Sequence, residues 1–353
     1  MQRILEIAKH FNTESEPASV RRFGRGNVND TYLVGLKNGG SIILQKLNSS
    51  VFKNPTEVMI NAVSVTNYLA KKAEANEPVF KFFLTPNGKF LVLDNGEYWR
   101  ACSFVSFTHS PDNNASLSEI EDFGRLLGDF HANVAAFPVD KLYFTIPDFH
   151  NTPKRYDAFV AAAKAAPTEL LASVKGELGF IESRKTSCSL ILDMNLPARV
   201  THNDVKMDNV LISDETDRAV SLIDFDTVMP GVYAFDFGDA VRSTCFGCDE
   251  NERDMTKVKL DEERFAAFTR GYISKAKSVL TSDELKSLVM GVRMISYELG
   301  MRFLSDYLSG NTYFKINSPD HNLIRARIQL LICAQVEKNY NKMCSPLVGI
   351  YKK

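Results

Sequence analysis

A polar stretch set inside an apolar segment constrains this chain more than any other feature. Within 199–239 the sequence reads Val200-Thr201-His202-Asn203-Asp204-Val205-Lys206-Met207-Asp208-Asn209 and then Leu222-Ile223-Asp224-Phe225-Asp226. Asn209 follows Asp204 by five residues, and Asp224 follows Asn209 by fifteen. Between them Val210-Leu211-Ile212, a polar turn at 213–218 and an apolar run at 219–223 predict a short hairpin that returns Asp224 to the side of Asn209. Two acids and an amide gathered in this way suit phosphoryl transfer. That chemistry asks for a carboxylate to hold the acceptor hydroxyl in line, and for an acid and an amide oxygen on a metal that bridges the phosphates of ATP. Asp204 takes the first role, and Asn209 and Asp224 the second.

Other polar groups in the stretch compete for these roles. Asp236-Phe237-Gly238 is the literal triplet of a kinase metal site, but it lies 27 residues beyond Asn209 with Pro230-Gly231 intervening. The metal is therefore assigned to Asp224, and Asp236 is read as a structural acid whose hydrogen bonds fix the loop. Asp226 shares a face with Asp224 if the segment is extended, which leaves metal or substrate contact, ion pairing and capping all open. His202 is read as a structural loop histidine holding the backbone around Asp204, with a general-base role as the alternative.

The rest of the chain splits into two textures. Before about Phe107 it is rich in strand patterns and turns: Phe23-Gly24-Arg25-Gly26-Asn27 leads into Asp30–Val34, Lys37-Asn38-Gly39-Gly40 precedes Ile42–Leu47, and segments at 80–84, 90–93 and 98–105 are separated by Pro86-Asn87-Gly88 and Asn95-Gly96. These predict about five antiparallel strands with one inserted helix at 55–73. The glycines at 24 and 26 let backbone approach phosphate oxygens closely. From the capping box Ser116-Leu117-Ser118-Glu119 onward the pattern is mainly helical. The division predicts a 1–106 nucleotide-binding lobe and a 107–353 catalytic and substrate-binding lobe, hinged at 104–110.

A second capping box at 281–284 opens a long helix to about Leu308, on which Glu298, Arg302 and Asp306 form one row amid apolar residues. Charges on such a helix either pair among themselves or line a polar pocket. With Tyr307, Tyr313, His321, Asn322, Arg325 and Arg327 close behind, the region offers the hydrogen-bonding density that a polyhydroxylated ligand needs.

Charge narrows the partners. Lys plus Arg total 42 against 43 Asp plus Glu, so no overall field draws nucleic acid or an anionic membrane. No window approaches a membrane span, and the N-terminus reads as an amphipathic helix without the features of a signal peptide, so a cytoplasmic location is expected. Of six cysteines only Cys245 and Cys248 have metal or redox spacing, with no second pair to complete four ligands; all six are read as reduced thiols.

On the central motif, on Gly24–Val34, Ile43–Asn48 and Tyr98–Phe104, and on Gly300–Leu308 with His321–Arg325, the sequence resembles the aminoglycoside phosphotransferase and choline kinase-like superfamily, over nearly the whole chain. The resemblance implies an α+β, bilobal protein-kinase-like fold, with an N-terminal lobe of about five antiparallel strands plus a helix and a larger, mainly helical C-terminal lobe. It also implies that Asp204 is the catalytic base, that Asn209 and Asp224 bind Mg2+, that Gly24, Arg25, Gly26, Asn29 and Thr31 belong to the phosphate loop with Gln45 behind it, and that Phe104 and Val105 lie in the hinge that meets adenine.

The C-terminal blocks resemble the sugar 1-kinase branch, which transfers the γ-phosphate of ATP to the anomeric hydroxyl of N-acetylglucosamine or N-acetylgalactosamine; Asp204, Arg302, Asp306, Tyr307, Tyr313 and Arg325 are the expected sugar contacts. Two departures from the wider superfamily stand out. Gln45 occupies the strand position where most kinases carry a phosphate-binding lysine, as it does in the sugar branch, and the helix at 55–73 has only Glu57, at its start. Loop, Lys46 and Arg25 all remain as candidates for holding the phosphates. Kinases of choline, homoserine, methylthioribose or aminoglycosides are rival readings, as is a nucleotide- or sugar-binding module without turnover. The arginines of the candidate pocket disfavour a cationic acceptor, and oligomeric state is unknown.

Overall fold

The computed structural model describes residues 1–24, 28–73, 80–112 and 114–351. Arg25 and Gly26 of the expected phosphate loop lie outside the described residues. The chain opens with α1 (Gln2–Ala8), followed by β1 (Pro17–Arg22), β2 (Asp30–Leu36), β3 (Ser41–Lys46), α2 (Pro55–Ala70), β4 (Val92–Asp94) and β5 (Glu97–Ser103). These strands form one antiparallel sheet in the order β1-β2-β3-β5-β4. Its buried face alternates as the pleat requires, with Tyr32, Val34, Ile42, Leu44, Trp99 and Ala101 packed on α1. The β4–β5 turn is made by Asn95 and Gly96, both at positive φ (49° and 78°), as a two-residue hairpin of the primed type demands.

Two expectations need correction here. The segment at 80–84 is no strand: it makes a single bridge, Phe82 to Cys102. The fifth strand is instead β1, an edge strand with mostly exposed polar residues whose weak apolar alternation hides it in the sequence. The inserted helix stops at Ala70, three residues short of the predicted end.

After β6 (Thr108–His109) the chain is mainly helical: α3 (Leu117–Val134), α4 (Thr152–Ala165), α5 (Thr168–Ser173), α6 (Lys175–Glu182) and α7 (Leu190–Asp193). The central stretch contributes β7 (Arg199–Thr201), β8 (Val210–Ser213), β9 (Ala219–Leu222) and β10 (Met229–Gly231). Then follow α8 (Tyr233–Thr244), α9 (Glu262–Ala276), α10 (Ser282–Leu308) and α11 (His321–Tyr351). Both capping boxes form as the sequence predicts, Ser116 with Glu119 on α3 and Thr281 with Glu284 on α10. The two-part α+β architecture of the sequence reading is thus the observed one.

Helices α8 and α10 cross at backbone contact. A Cβ on Gly238 would lie 2.6 Å from the Gly291 carbonyl carbon, and one on Gly291 would lie 1.9 Å from the Ala234 oxygen. Beside the crossing, Phe123, Phe237, Phe268 and Tyr272 pack edge-to-face in the core, with centroids 5.1 to 5.5 Å apart. Cys245 and Cys248 are both buried, and burial pushes their thiols up to about 12 and about 11. Reactive thiolates are thereby excluded at these two sites. Among the described residues no helix is long and apolar enough to cross a membrane.

Candidate active site

Strand β7 pairs antiparallel with β10, Thr201 opposite Met229, and delivers the chain into the catalytic loop. That loop is held from below. Asp236, in the first turn of α8, accepts the backbone N–H groups of His202 (2.8 Å) and Asn203 (2.7 Å) and the Nε2–H of His131 (3.0 Å). Asn203 adopts φ +63°, a left-handed turn that an asparagine tolerates, and its side chain donates to the carbonyls of Thr201 and Thr227. His202 donates Nε2–H to the Ile223 carbonyl at 3.0 Å and packs against Phe225. Buried without access to a ligand, its ring links the catalytic loop to the strand end that carries Asp224.

The hairpin of β8 and β9 forms, Val210 opposite Leu222, and Ile223 N–H donates to the Asn209 carbonyl at 3.0 Å. Asp224 follows immediately in a left-handed conformation (φ 67°, ψ 62°). The Asn209 amide nitrogen donates to both the backbone carbonyl (2.9 Å) and the carboxylate (2.8 Å) of Asp204, which leaves its oxygen as the group free to bind a cation. Lys206 Nζ lies 3.2 Å from the same Asp204 carboxylate. Burial pushes the Asp204 carboxyl up, but Lys206 and the hydrogen bond from Asn209 outweigh it and hold the group below the ordinary aspartate value. It is therefore ionised at neutral pH and able to accept a hydroxyl hydrogen.

Asp224 behaves in the opposite way. Burial, reinforced by Asp226 and Asp204, pushes its carboxyl up to about 7 against the pull of Arg100 and Lys206. A cation beside this carboxylate would favour its charged form. With the Asn209 oxygen it supplies two hard donors, the number that Mg2+ commonly takes from protein when nucleotide phosphates and water complete its shell.

The residues expected at the nucleotide are more internally bonded than the sequence suggests. Thr31 Oγ1 accepts from Gln45 Nε2 (3.1 Å), and Gln45 Oε1 accepts from Arg100 Nε (3.0 Å) and Nη2 (2.8 Å). Asn29, itself buried, donates to Asp226 (2.7 Å) and accepts from Asn48 N–H (3.0 Å). Asn29, Thr31 and Gln45 thus hold the floor of the sheet together. Lys46 is removed from the candidates for the phosphates: on the opposite face it sits between Asp30 (3.0 Å) and Glu97 (3.1 Å). Gly24 has φ +74°, and Phe104, at the start of the 104–110 connection that also carries Val105, packs edge-on against Phe23 at 5.6 Å.

Among the expected sugar contacts, the charged row of α10 neither pairs within itself nor lines one surface together. Glu298 accepts from His150 Nδ1 (3.0 Å) and Thr152 Oγ1 (3.1 Å) and is fully buried. Asp306 accepts four hydrogen bonds: from the N–H groups of Thr312 (2.8 Å), Tyr313 (2.8 Å) and Phe314 (2.9 Å), and from Asn322 Nδ2 (2.8 Å). This corrects the expectation for Asp306. It anchors the loop between α10 and α11, and both its oxygens are already used.

Arg325 is likewise engaged, with the Asn251 side chain and the Lys315 carbonyl. Arg302 alone of the row lacks an acid among the described residues, and its guanidinium lies over the rings of Phe149 (5.5 Å) and Phe314 (5.6 Å). Tyr313 is 60% exposed at the tip of the anchored loop, and Tyr307 is half-buried beside it. In the sequence Phe149 and His150 have no role beyond their place in a block, 149–153, that resembles the superfamily; the helix start at Asn151-Thr152-Pro153 sets them beside Arg302 and Glu298.

Residues 19–268 match the phosphotransferase enzyme family. Solved structures with the same fold include the microcompartment-associated aminopropanol kinase, at 17% identity over 97% of this chain and 98% of that one with a TM-score of 0.65. Another is amicoumacin kinase in complex with AMP-PNP, Ca2+ and amicoumacin, at 15% identity over 95% and 93% with a TM-score of 0.64. A third is the ethanolamine kinase of Plasmodium vivax, at 14% identity over 87% and 80% with a TM-score of 0.55. With the family match spanning well over half its length, this chain belongs to the phosphotransferase enzyme family.

Proposed function

We propose that the protein is an N-acetylhexosamine 1-kinase, in which residues 1–106 place ATP and residues 107–353 place a sugar whose anomeric hydroxyl receives the γ-phosphate. The observation that carries this reading is the fate of the α10 row. Both acids, Glu298 and Asp306, are consumed by protein donors, and the group left for a ligand is Arg302 between two aromatic rings. An ammonium-bearing acceptor calls for free carboxylates there, whereas a guanidinium flanked by aromatic faces suits the carbonyl and hydroxyl oxygens of an acylated sugar.

In the reaction Asp204 accepts a hydrogen bond from the acceptor hydroxyl, aligns it, and takes its proton as the hydroxyl oxygen bonds to the γ-phosphorus and the bond from that phosphorus to the bridging oxygen breaks, releasing ADP. The Asn209 amide and the Lys206 ammonium both hold the Asp204 carboxylate, at its Oδ2. The Asn209 oxygen and Asp224 are the residues that would hold Mg2+. When bound, the ion neutralises charge on the phosphate oxygens. His202 and Asp236 keep the loop in register and take no part in proton transfer.

The test is ADP release with Mg2+ and ATP across free hexoses, N-acetylhexosamines, choline, ethanolamine, aminopropanol and homoserine. The expected result is turnover with an N-acetylhexosamine and a product that has lost its reducing end, since phosphate on the anomeric oxygen blocks ring opening. Turnover confined to the amino alcohols, or a phosphorylated sugar that still reduces, would overturn the assignment.

A further inference from the structure

Gln45 stands where the sequence reading looks for a phosphate-binding lysine, and Lys46 is spent elsewhere, yet the nucleotide side does contain a buried cation. Arg100 on β5 is the cross-strand partner of Gln45 on β3. Only 1% of its surface is exposed, a rare condition for arginine. One edge of its guanidinium, Nε and Nη2, clasps Gln45 Oε1, its Nη1 meets Asp226 Oδ1, and the Phe82 ring lies 5.3 Å from its Cζ. The other oxygen of Asp226 accepts from Asn29, at the foot of the glycine turn. An unbroken polar chain thus runs Thr31–Gln45–Arg100–Asp226–Asn29. It begins and ends on the segment that leads from the glycine turn into β2, and it passes through the residue two beyond Asp224.

We infer that Arg100 is the positioning residue that stands in for the absent lysine: by pairing with Asp226 it fastens the strand end carrying Asp224 to the sheet over the nucleotide, and so sets where metal and phosphates are held. Gln45 has a matching part. An amide oxygen accepts both N–H groups on one edge of the guanidinium and turns the fork towards Asp226, an arrangement that an ammonium on β3 cannot create. Asp224 accepts no hydrogen bond from the described residues, so its placement depends on the backbone, and that backbone is pinned at Asp226. The inference rests on the phosphotransferase reading of the site, with Asp224 as a metal ligand.

The experiment separates positioning from a purely structural ion pair. Arg100→Met or Asp226→Asn alone leaves one charge buried and is expected to lower the melting temperature. The double variant Arg100→Met/Asp226→Asn removes both charges, keeps an acceptor for Asn29, and is expected to melt near the wild type. Despite that recovery it should bind Mg2+–ADP about tenfold or more weakly by calorimetry, and require about tenfold more Mg2+ to support ADP binding, the scale of losing an outer-shell partner of a metal site. Arg100→Lys, which keeps the charge and loses the fork, should fall between the two. A double variant with wild-type Mg2+–ADP affinity and Mg2+ dependence would overturn the inference and leave the pair structural. Because these binding readouts need no acceptor, an absence of phosphate transfer in the wild type would count against the functional reading of the site without deciding this one.

Discussion

Asp224 and Asp236 lie twelve residues apart, both close to the catalytic loop, and they have opposite surroundings. Asp236 is fully buried and receives three donors: two backbone N–H groups and the imidazole of His131, which Tyr272 engages from its far side. Asp224 receives none from the described residues and is pushed up to about 7 by burial and two neighbouring acids. The first carboxylate is saturated by protein and stabilises it; the second is left in deficit and awaits a partner that folding does not provide. An open hydrogen-bonding capacity singles out the acid we propose as the metal ligand, whereas the surrounding letters, which favour Asp236, do not.

The sharpest way to break this contrast is to neutralise each acid in turn. Asp224→Asn should lower kcat by about a thousandfold or more, the range for losing a principal electrostatic contributor, with a melting temperature equal to or above the wild type. Asp236→Asn should instead cost about 3 kcal/mol or more of folding stability, measured by denaturant titration, because one buried donor faces another and His131 loses its acceptor. A thermally unchanged Asp236→Asn, or a strongly destabilised Asp224→Asn, would erase the distinction.

A pH series sharpens it further. His131 and His202 are buried, and burial holds both imidazoles below their ordinary value. Below about pH 6.5 the unfolded chain therefore takes up protons that the folded one refuses, and their stabilising contribution, present above that pH, is lost as acidity increases. Asp224 has the reverse sign. Its folded carboxyl keeps a proton up to about 7, so it favours the folded state as pH falls through that value. In metal-free protein the stability of Asp224→Asn should consequently fall more steeply between pH 7 and 5 than that of the wild type, by up to about 1.4 kcal/mol per pH unit. Parallel curves would refute the raised Asp224 carboxyl.

The smallest effect is expected furthest from this pair. Arg302→Ala should raise the KM for the sugar about tenfold while leaving that for ATP unchanged, as removal of one charged ligand contact does. An equal rise in both would assign Arg302 to structure.

Much of the catalytic centre was legible because it is local. The hairpin that brings Asp224 back to Asn209 closes within fifteen residues, and its apolar strands and polar turn are written consecutively. Asp306 was misread because three of its four partners are backbone N–H groups six to eight residues ahead, and backbone donors leave no trace in side-chain chemistry. The Arg100–Gln45 clasp depends on strand register, which the sequence left open. Its signal was nonetheless present, an arginine inside the apolar run Tyr98-Trp99-Arg100-Ala101-Cys102, where only a buried partner makes a charge tolerable. Strand β1 escaped notice for the opposite reason: an edge strand needs little apolar surface.

The glycine-on-glycine crossing of α8 and α10 bears on how the candidate site is kept to scale. With Gly238 and Gly291 at backbone contact, and Arg199 tied to Glu284 at 2.7 Å, the helix bearing Arg302 is locked to the strand that leads to Asp204. That helix, 27 residues and about 40 Å long, acts as a ruler of fixed zero. The segments at 148–152 and 309–320 hang from that ruler through Glu298 and Asp306, and any side chain added at the crossing would move the scale itself.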